Sequence, residues 1–208
     1  MSSTLNRAAF VPPDSPILLQ VAEPVTPQYM VSSSCAFAIK SLWRIAFGEQ
    51  KIISKPLLVG LAAPQVGISR RIILVDVAAD GKGKVGDLRL YINPEIISTS
   101  PEKSEWYEGC FSTSCVCGIV ARHDRIKIRA LDINGNLIEE EHSGYTARIF
   151  QHEIDHLDGK EFTVHITDDE KLHWVEPDQF PLYRNQGAWR NWPYKCTRAR
   201  WMAIKNPK

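Results

Sequence analysis

The sequence predicts an α+β fold in which antiparallel strands outnumber helices. Its 208 residues are 44% hydrophobic and 24% charged, which are ordinary values for one sizeable globular domain. Strand-like segments follow one another along the chain, and two segments have a helical pattern. Strands in succession favour an α+β fold over a doubly wound sheet, in which strands alternate with helices.

The first helical segment is predicted to run from Thr26 to Phe47. Residues 12–27 are rich in proline and predict extended chain. Thr26 followed by Pro27 is typical of an N-cap and a first helical position. Apolar side chains continue to Phe47, and Gly48 then predicts the end of the helix.

The predicted strands begin with residues 71–77, an apolar run that we expect to be buried. Residues 80–87 are rich in glycine and charge and predict a mobile turn. Residues 88–94 predict a second strand. Together these segments predict two neighbouring antiparallel strands.

A hairpin and a second helix complete the prediction. Residues 125–133 and 137–142 flank Asn134-Gly135-Asn136, which is a strong hairpin signal. After Ser143 and Gly144 the apolar pattern changes to a helical period, with Ser143 as the candidate N-cap.

The overall charge excludes functions that need a strongly basic or acidic protein. Lys and Arg number 25 against 24 Asp and Glu, a formal net charge of +1, so neither DNA nor a membrane is an expected partner. No apolar run approaches the roughly 20 residues that cross a bilayer. Residues 1–16 lack the apolar core of a signal peptide. We therefore expect a cytoplasmic protein.

The C-terminal part differs in composition from the rest of the chain. We predict a body at residues 1–170 and a basic, Trp-rich extension at residues 171–208. Residues 184–208 contain seven basic residues, no acidic residue and three tryptophans. Cations and aromatic rings together are typical of nucleic-acid binding. Alternatively, the tryptophans pack on the body and the basic groups stay in solvent; the two interpretations are compatible.

The five cysteines favour metal binding or catalysis over disulfides. Their number is odd and no export signal accompanies them, so a disulfide framework is not expected. The five positions are Cys35, Cys110, Cys115, Cys117 and Cys196.

The strongest functional signal is the H-E-x-x-H pattern at residues 152–156. On a helix, His152 and His156 lie on one face about a turn apart, so both imidazoles can reach one metal ion. Glu153 lies beside them and can accept the proton of a metal-bound water. The apolar residues of the opposite face are expected to anchor the helix in the core, and they are Phe150, Ile154 and Leu157.

A catalytic site of this kind needs a third protein ligand and an open coordination position. Cys110 is a candidate, because a thiolate binds such metals tightly. A lone cysteine is more often a small buried hydrophobic residue. Cys115 and Cys117 compete with it, and spacing alone does not choose among the three.

Residues 60–67, GLAAPQVG, form a third candidate segment. Their small side chains allow the backbone to approach a ligand closely. Gln65 offers an amide donor that can face a developing oxyanion. The same segment is equally consistent with a tight turn that leads into the strand at Arg71.

Three motifs in this order resemble the peptide deformylase family. They are GLAAPQVG at residues 60–67, EGCFS at 108–112 and QHEIDHLDG at 151–159, and the likeness extends from about Asp14 to Thr163. The resemblance implies a hydrolase that removes the formyl group from the N-terminal formyl-methionine of nascent polypeptides and releases formate. It also implies antiparallel sheets around a central helix that carries the HExxH motif.

The resemblance further implies a role for each matched position. Glu153 would be the general base and acid, and Gln65 with the backbone N–H of Phe111 would bind the oxyanion. The implied metal ligands are Cys110, His152 and His156. The implied substrate strand lies on Val59, Gly60 and Leu61.

The resemblance also implies a cofactor and a partner. The expected ion is Fe(II), with Zn, Ni or Co able to substitute. The ribosome is the expected partner, because the substrate is a nascent chain, and residues 184–208 would be the docking segment. The body at residues 1–170 would then be the catalytic domain.

Two other functions share part of this pattern. A zinc endopeptidase also uses HExxH but takes a later third ligand, and His165 and Glu161 follow the motif too closely. A non-catalytic, ribosome-associated relative would keep the fold and the metal. Leu58, where the family has glycine, and the unusual residues 113–117 motivate that alternative, whereas the intact Glu153 and Gln65 argue against it.

Overall fold

The computed structural model describes residues 9–47 and 58–207. Within these ranges the chain forms two antiparallel sheets, five α-helices and several short 3-10 turns. The strands are β1 (Gly60–Ala62), β2 (Ile72–Asp76), β3 (Leu88–Thr99), β4 (Lys103–Gly109), β5 (Val116–His123), β6 (Arg125–Leu131), β7 (Leu137–Ser143) and β8 (Leu172–Trp174). The helices are α1 (Pro27–Met30), α2 (Ser33–Phe47), α3 (Gly144–Leu157), α4 (Phe180–Arg184) and α5 (Arg198–Lys205). The predicted α+β class is confirmed.

The larger sheet has five strands and is covered by a helix on each face. Its order is β1-β2-β3-β6-β7, and each neighbouring pair is antiparallel. Successive side chains of a strand point to opposite faces. Ile73 and Val75 of β2 therefore pack with α3, and Ile72 and Leu74 pack with α2. The whole of β2 is buried, as the apolar run at residues 71–77 predicts.

The smaller sheet has the order β4-β5-β8, with β5 in the middle. Neighbouring side chains of β5 point to opposite faces of this sheet, and each face has its own hydrophobic core. Val116 packs with Phe162, and Cys117 packs with Tyr183 and other residues of the C-terminal segment. The C-terminal segment therefore contributes directly to the core around this sheet.

Helix α3 carries the HExxH motif and lies between the two sheets. Its apolar residues Phe150, Ile154 and Leu157 are buried in the core of the larger sheet, as predicted. On another side, the Gln151 amide accepts from the His123 N–H of β5 at 3.1 Å and donates to the His123 carbonyl at 3.0 Å. Ser143 occupies the N-cap position, although its side chain makes no capping hydrogen bond.

The prediction of one helix from Thr26 to Phe47 is wrong at its centre. Thr26 caps α1 as predicted, by accepting from the Tyr29 N–H at 3.2 Å. The helix then ends, because the Ser32 hydroxyl donates to the Tyr29 carbonyl and accepts from the Cys35 N–H. Ser32 therefore ends one helix and caps the next, a competition that serine offers any helix. The predicted stop at Gly48 lies outside the described residues.

The strand predicted over residues 88–94 is longer in the structure, since β3 continues to Thr99. A register shift between Ile92 and Glu95 lets the sheet pass Pro94, which has no N–H to donate. The turn predicted at residues 80–87 connects β2 to β3. There the Asp80 carboxylate accepts from the backbone N–H groups of Lys82 and Lys84 at 2.8 and 3.0 Å.

The predicted hairpin is confirmed as β6 and β7. Its turn is held by Asp132, whose Oδ1 accepts the backbone N–H groups of Asn134 and Asn136, each at 2.8 Å. The side chain replaces backbone partners in the turn, as aspartate commonly does.

The tryptophans of residues 184–208 pack inward, as the packing interpretation of this segment expects. Trp189, Trp192 and Trp201 are each only 3% exposed. The Arg190 guanidinium lies on the solvent side, 4.2 Å from the centroid of the Trp189 ring. Lys195 and Arg198 pair with Glu170 and Asp169, whereas the buried Lys205 pairs with Glu161. The division at residue 170 stays a prediction. In the described part of the chain, none of the helices combines the length and apolar character that crossing a bilayer requires.

Candidate metal centre

Three side chains with metal-ligating atoms converge where β4 ends against α3. Cys110 follows β4, and His152 and His156 are one turn apart on α3. Their donor atoms all lie within 4.8 Å of one another, and the Cys110 Sγ is 3.3 Å from the His156 Nε2. Among the described residues, Cys110 joins this group, and Cys115 and Cys117 do not.

The electrostatics of the cluster favour a thiolate. Burial alone would raise the pKa of the Cys110 thiol, but His156 and His152 hold it well below its usual value. Burial would lower the pKa of His152, yet Cys110 and Glu108 hold it well above its usual value. By contrast, burial raises the pKa of the Cys117 thiol, which sits in an apolar core. Cys110 is therefore the cysteine whose surroundings suit a metal ligand.

A buried carboxylate orients one of the two histidines. The Glu108 Oε2 accepts from the His152 Nδ1 at 2.9 Å, which leaves Nε2 to face Cys110. Arg122 donates to both carboxylate oxygens at 3.0 Å, and Arg148 donates to Oε1 at 2.7 Å. A carboxylate behind a ligating imidazole fixes its ring orientation and raises its basicity.

These supporting residues were not singled out in the sequence as site residues. Glu108 belongs to the EGCFS motif, two positions before Cys110. Arg122 is the last but one residue of the mostly apolar β5, where a buried charge needs a partner. Such a charge within a buried strand is the signal that points to the network. Its partners come from β4 and α3, so no local pattern identifies them.

The two downstream residues that a zinc endopeptidase would need are engaged elsewhere. The His165 Nε2 lies 2.8 Å from the Asp155 carboxylate. Glu161 pairs with Lys205 at 3.0 Å. Neither residue belongs to the cluster of Cys110 and the α3 histidines.

Glu153 is buried beside the cluster and is 4% exposed. Its Oε2 has no hydrogen-bond partner among the described residues. Burial raises the pKa of its carboxyl to about 7. A side chain at Gly60 would overlap the Glu153 carboxylate and come within 2.8 Å of Ile149. Because residue 60 is glycine, β1 can approach the Glu153 carboxylate closely.

Gln65 presents its amide N–H to the same place. The Gln65 Oε1 accepts from the Ala62 N–H at 2.7 Å, which fixes the orientation of the amide. Its Nε2 then points to the Cys110 Sγ at 3.0 Å and to the Ser112 Oγ at 3.4 Å. The Gln65 side chain is 3% exposed, and the residue belongs to the 3-10 turn Ala63–Val66 that follows β1.

A cavity of about 310 Å³ lies in front of these groups. Val59 and Gly60 line it, and β1 is the edge strand of the larger sheet, whereas the Leu61 side chain packs into the core on the α2 side. Phe111 also lines the cavity, and its ring stacks on Phe10 with 4.9 Å between centroids.

The C-terminal segment lines this cavity, which no pattern in the sequence indicates. Phe180 and Arg184, the two ends of α4, form part of its wall. They lie about seventy residues after Cys110 in the chain, in the part predicted to be an extension. The other apolar and aromatic residues of the lining are Leu58, Tyr107, Tyr145 and Ile149.

The residues fit a divalent transition metal. One thiolate and two imidazoles are the donor set of a catalytic site with three protein ligands and an open position. The unpartnered oxygen of Glu153 is what a carboxylate opposite a bound water requires. The ion that this donor set holds is not fixed by the donors alone, since thiolate and imidazole suit several borderline metals.

Comparisons with known proteins identify the family of this chain. The family model "Polypeptide deformylase" matches residues 9–172. The peptide deformylase of Thermotoga neapolitana is 48% identical over 101 residues, covering 49% of this chain and 57% of its own length. Peptide deformylase 2 of Rickettsia conorii is 42% identical over 130 residues, covering 59% of this chain and 64% of its own length.

Solved structures resemble the chain over a longer part. A class I type b peptide deformylase from Acinetobacter baumannii with Met-Ala-Ser bound is 30% identical, with a TM-score of 0.67 over 76% of this chain and 96% of its own. The peptide deformylase of Thermotoga maritima is 36% identical, with a TM-score of 0.60 over 74% of this chain and 92% of its own. The curated relatives above are thus matched over less than two thirds of their length, whereas these structures match almost throughout. Because the family model covers well over half of the sequence, the chain belongs to the polypeptide deformylase family.

Proposed function

We propose that this protein is a metal-dependent hydrolase that removes the formyl group from the N-terminal formyl-methionine of nascent polypeptides and releases formate. One observation carries the proposal: Cys110, His152, Glu153 and Gln65 all line one cavity beside an open edge strand. Membership in the family supports the same activity.

The metal would be held by Cys110, His152 and His156, and we propose Fe(II) as the native ion, with Zn, Ni or Co able to substitute. A bound divalent cation supplies Lewis acidity that makes water a nucleophile near neutral pH. The lowered pKa of Cys110 favours the thiolate that binds a metal, and the hydrogen bond from His152 to Glu108 orients the imidazole toward the same place.

Glu153 acts as the proton carrier of the reaction. It accepts the proton of the attacking water and returns it to the leaving amine, which becomes the free N-terminus. A carboxyl with a pKa of about 7 suits both tasks, because general acid–base catalysis works best near the operating pH. Burial beside Gly60 keeps the carboxylate within reach of the cavity.

Two donors are assigned to the oxyanion that forms at the formyl carbon. They are the Gln65 amide, which is already oriented by the Ala62 N–H, and the backbone N–H of Phe111. One such donor typically contributes about 3 kcal/mol to the transition state. The fixed amide reduces the reorganisation that the reaction requires.

The peptide is expected to lie as an added strand along residues 59–61. Backbone hydrogen bonds then supply affinity that depends little on sequence. The methionine side chain would enter the apolar part of the cavity, near Tyr145 and Ile149 of α3. This arrangement places the formyl group toward the metal ligands.

The decisive experiment measures formate released by metal-loaded protein from formyl-Met-Ala-Ser, next to cleavage of the unformylated peptide. Formate from the first and no cleavage of the second is the expected result. Cleavage of the unformylated peptide would favour an endopeptidase. Absence of both, in protein with full metal content, would favour the non-catalytic relative.

We also propose that the protein works in the cytoplasm on ribosomes, with residues 184–208 as the docking segment. Supporting this, the tryptophans of the segment are buried while Arg190 and Arg200 lie outward on aromatic rings. Point variants test it better than deletion, because deletion would open the core. Arg190→Gln with Arg200→Gln should weaken sedimentation with ribosomes and reduce its salt dependence. Unchanged sedimentation would remove this role.

A further inference from the structure

Three cavities meet at one arginine of the C-terminal segment. Arg184 lines the cavity of the metal centre, a second cavity of about 230 Å³ beside Phe111, and a third of about 740 Å³ below the turn at residues 81–85. Its guanidinium lies over the rings of Phe180 and Tyr107, with 5.5 and 6.0 Å to their centroids. Arg184 thus stands where the three cavities adjoin.

The third cavity is a groove with one sign of charge. It is lined by Lys82, Lys84, Arg184 and Arg190, and no acidic residue belongs to its lining among the described residues. Arg184 itself has no carboxylate partner in the described part of the chain, since its contacts are with ring faces. A groove lined by several cations and, among the described residues, by no carboxylate attracts negative charge.

The groove adjoins the metal-centre cavity. Val59, Tyr107, Tyr145 and Arg184 line both. An extended chain advances about 3.3 Å per residue. The second and third residues of a peptide bound on residues 59–61 therefore come within reach of these cations.

We propose that Arg184, together with Lys82, Lys84 and Arg190, makes the protein select formyl-Met peptides that carry an acidic side chain at the second or third position. The inference rests on the proposed deformylation and adds to it a substrate class. The carboxylate would take the place of the missing acidic partner of Arg184. Apolar contacts with Phe180 and Tyr107 hold the guanidinium in position for it.

The test compares kcat/KM for three formyl peptides with amidated C-termini: formyl-Met-Ala-Ser, formyl-Met-Asp-Ser and formyl-Met-Ala-Asp. We expect at least one acidic peptide to be preferred by about fivefold at low salt, as exposed ion pairs allow. The preference should shrink at high ionic strength. Arg184→Gln should bring the ratio close to one, and Arg184→Lys should keep part of it.

The matched control is Arg129→Gln on β6, which removes the same charge outside these three cavities. It should keep the parental ratio, and thermal unfolding of every variant checks that each is folded. Equal kcat/KM for all three peptides, with formate released from each, would overturn the selectivity and leave the proposed function intact. Release of formate from none of them would overturn both. Inhibition by a short oligoribonucleotide without any peptide preference would assign the groove to nucleic acid and also overturn the inference.

Discussion

The ion pair between Lys205 and Glu161 gives a prediction about what holds the C-terminal segment in place. Lys205 ends α5, and its Nζ lies 3.0 Å from the Glu161 Oε2. The two side chains are 6% and 3% exposed. The same ammonium also donates to the Pro13 carbonyl, so it joins the two ends of the described chain.

Lys205→Met removes this charge and keeps most of the side-chain volume. Burial raises the pKa of the Glu161 carboxyl even though the Lys205 ammonium lowers it, so removing that ammonium should raise the pKa further. Removing one partner of a buried pair costs about 3–5 kcal/mol. Because Lys205 lies near the surface, we expect the lower end, and 3 kcal/mol in a chain of this size lowers Tm by about 6–12 °C.

The stability lost in Lys205→Met should increase with pH. In the variant, Glu161 has a folded pKa that is raised further above its unfolded value. Such a group lowers stability as pH rises above the unfolded pKa. The Tm difference between variant and parent should therefore be larger at pH 8 than at pH 5.

Thermal and urea unfolding of the metal-loaded proteins measure the effect, and the double variant Glu161→Leu with Lys205→Met is the control. Replacing both partners by apolar side chains often restores or exceeds the original stability. A single variant within 1 °C of the parent (about 0.3 kcal/mol) would refute the reasoning. So would a double variant that is no more stable than the single one.

Three further predictions concern the metal centre and the C-terminal core. Glu153→Gln should retain the metal but lose at least about a hundredfold in formate release, because an amide accepts no proton; metal content and turnover are measured on one sample, and turnover within tenfold of the parent would remove the assigned role. Cys110→Ser should retain much less metal after dialysis than Cys117→Ser, and equal retention would show that the wrong cysteine was chosen. Burial lowers the pKa of His173 to about 4, so between pH 4 and 6.5 this histidine is protonated in the unfolded chain and neutral in the folded one. The free energy of unfolding should therefore rise by up to about 3 kcal/mol over that range. His173→Gln should flatten this dependence of the free energy of unfolding on pH, and an unchanged slope would contradict the reasoning.

The features that could be predicted from sequence are those set by local spacing. The i, i+4 histidines, the apolar face of α3 and the turn at residues 134–136 each depend on residues a few positions apart. The break at Ser32 was missed because a side-chain hydrogen bond interrupted a pattern that was otherwise helical.

The features that could not be predicted depend on contacts between distant segments. Spacing alone left three candidate cysteines, and the EGCFS motif pointed to Cys110 only through its resemblance to a family. The physical reason is the packing of β4 against α3, which brings Cys110 to the two histidines. The Glu108 network joins two strands and a helix, and Arg184 reaches the site from the far end of the chain. Such partners are fixed by the topology, which no short motif encodes.

The three candidate metal ligands lie on different layers of the fold, which has a consequence for the protein without metal. Cys110 follows a strand of the smaller sheet, whereas the histidines lie on a helix whose apolar side packs on the larger sheet. An ion bound to all three cross-links the layers and closes the chain segment 110–152 into a loop. Since binding that requires the folded state stabilises it by mass action, chelation should lower the unfolding temperature of the whole domain.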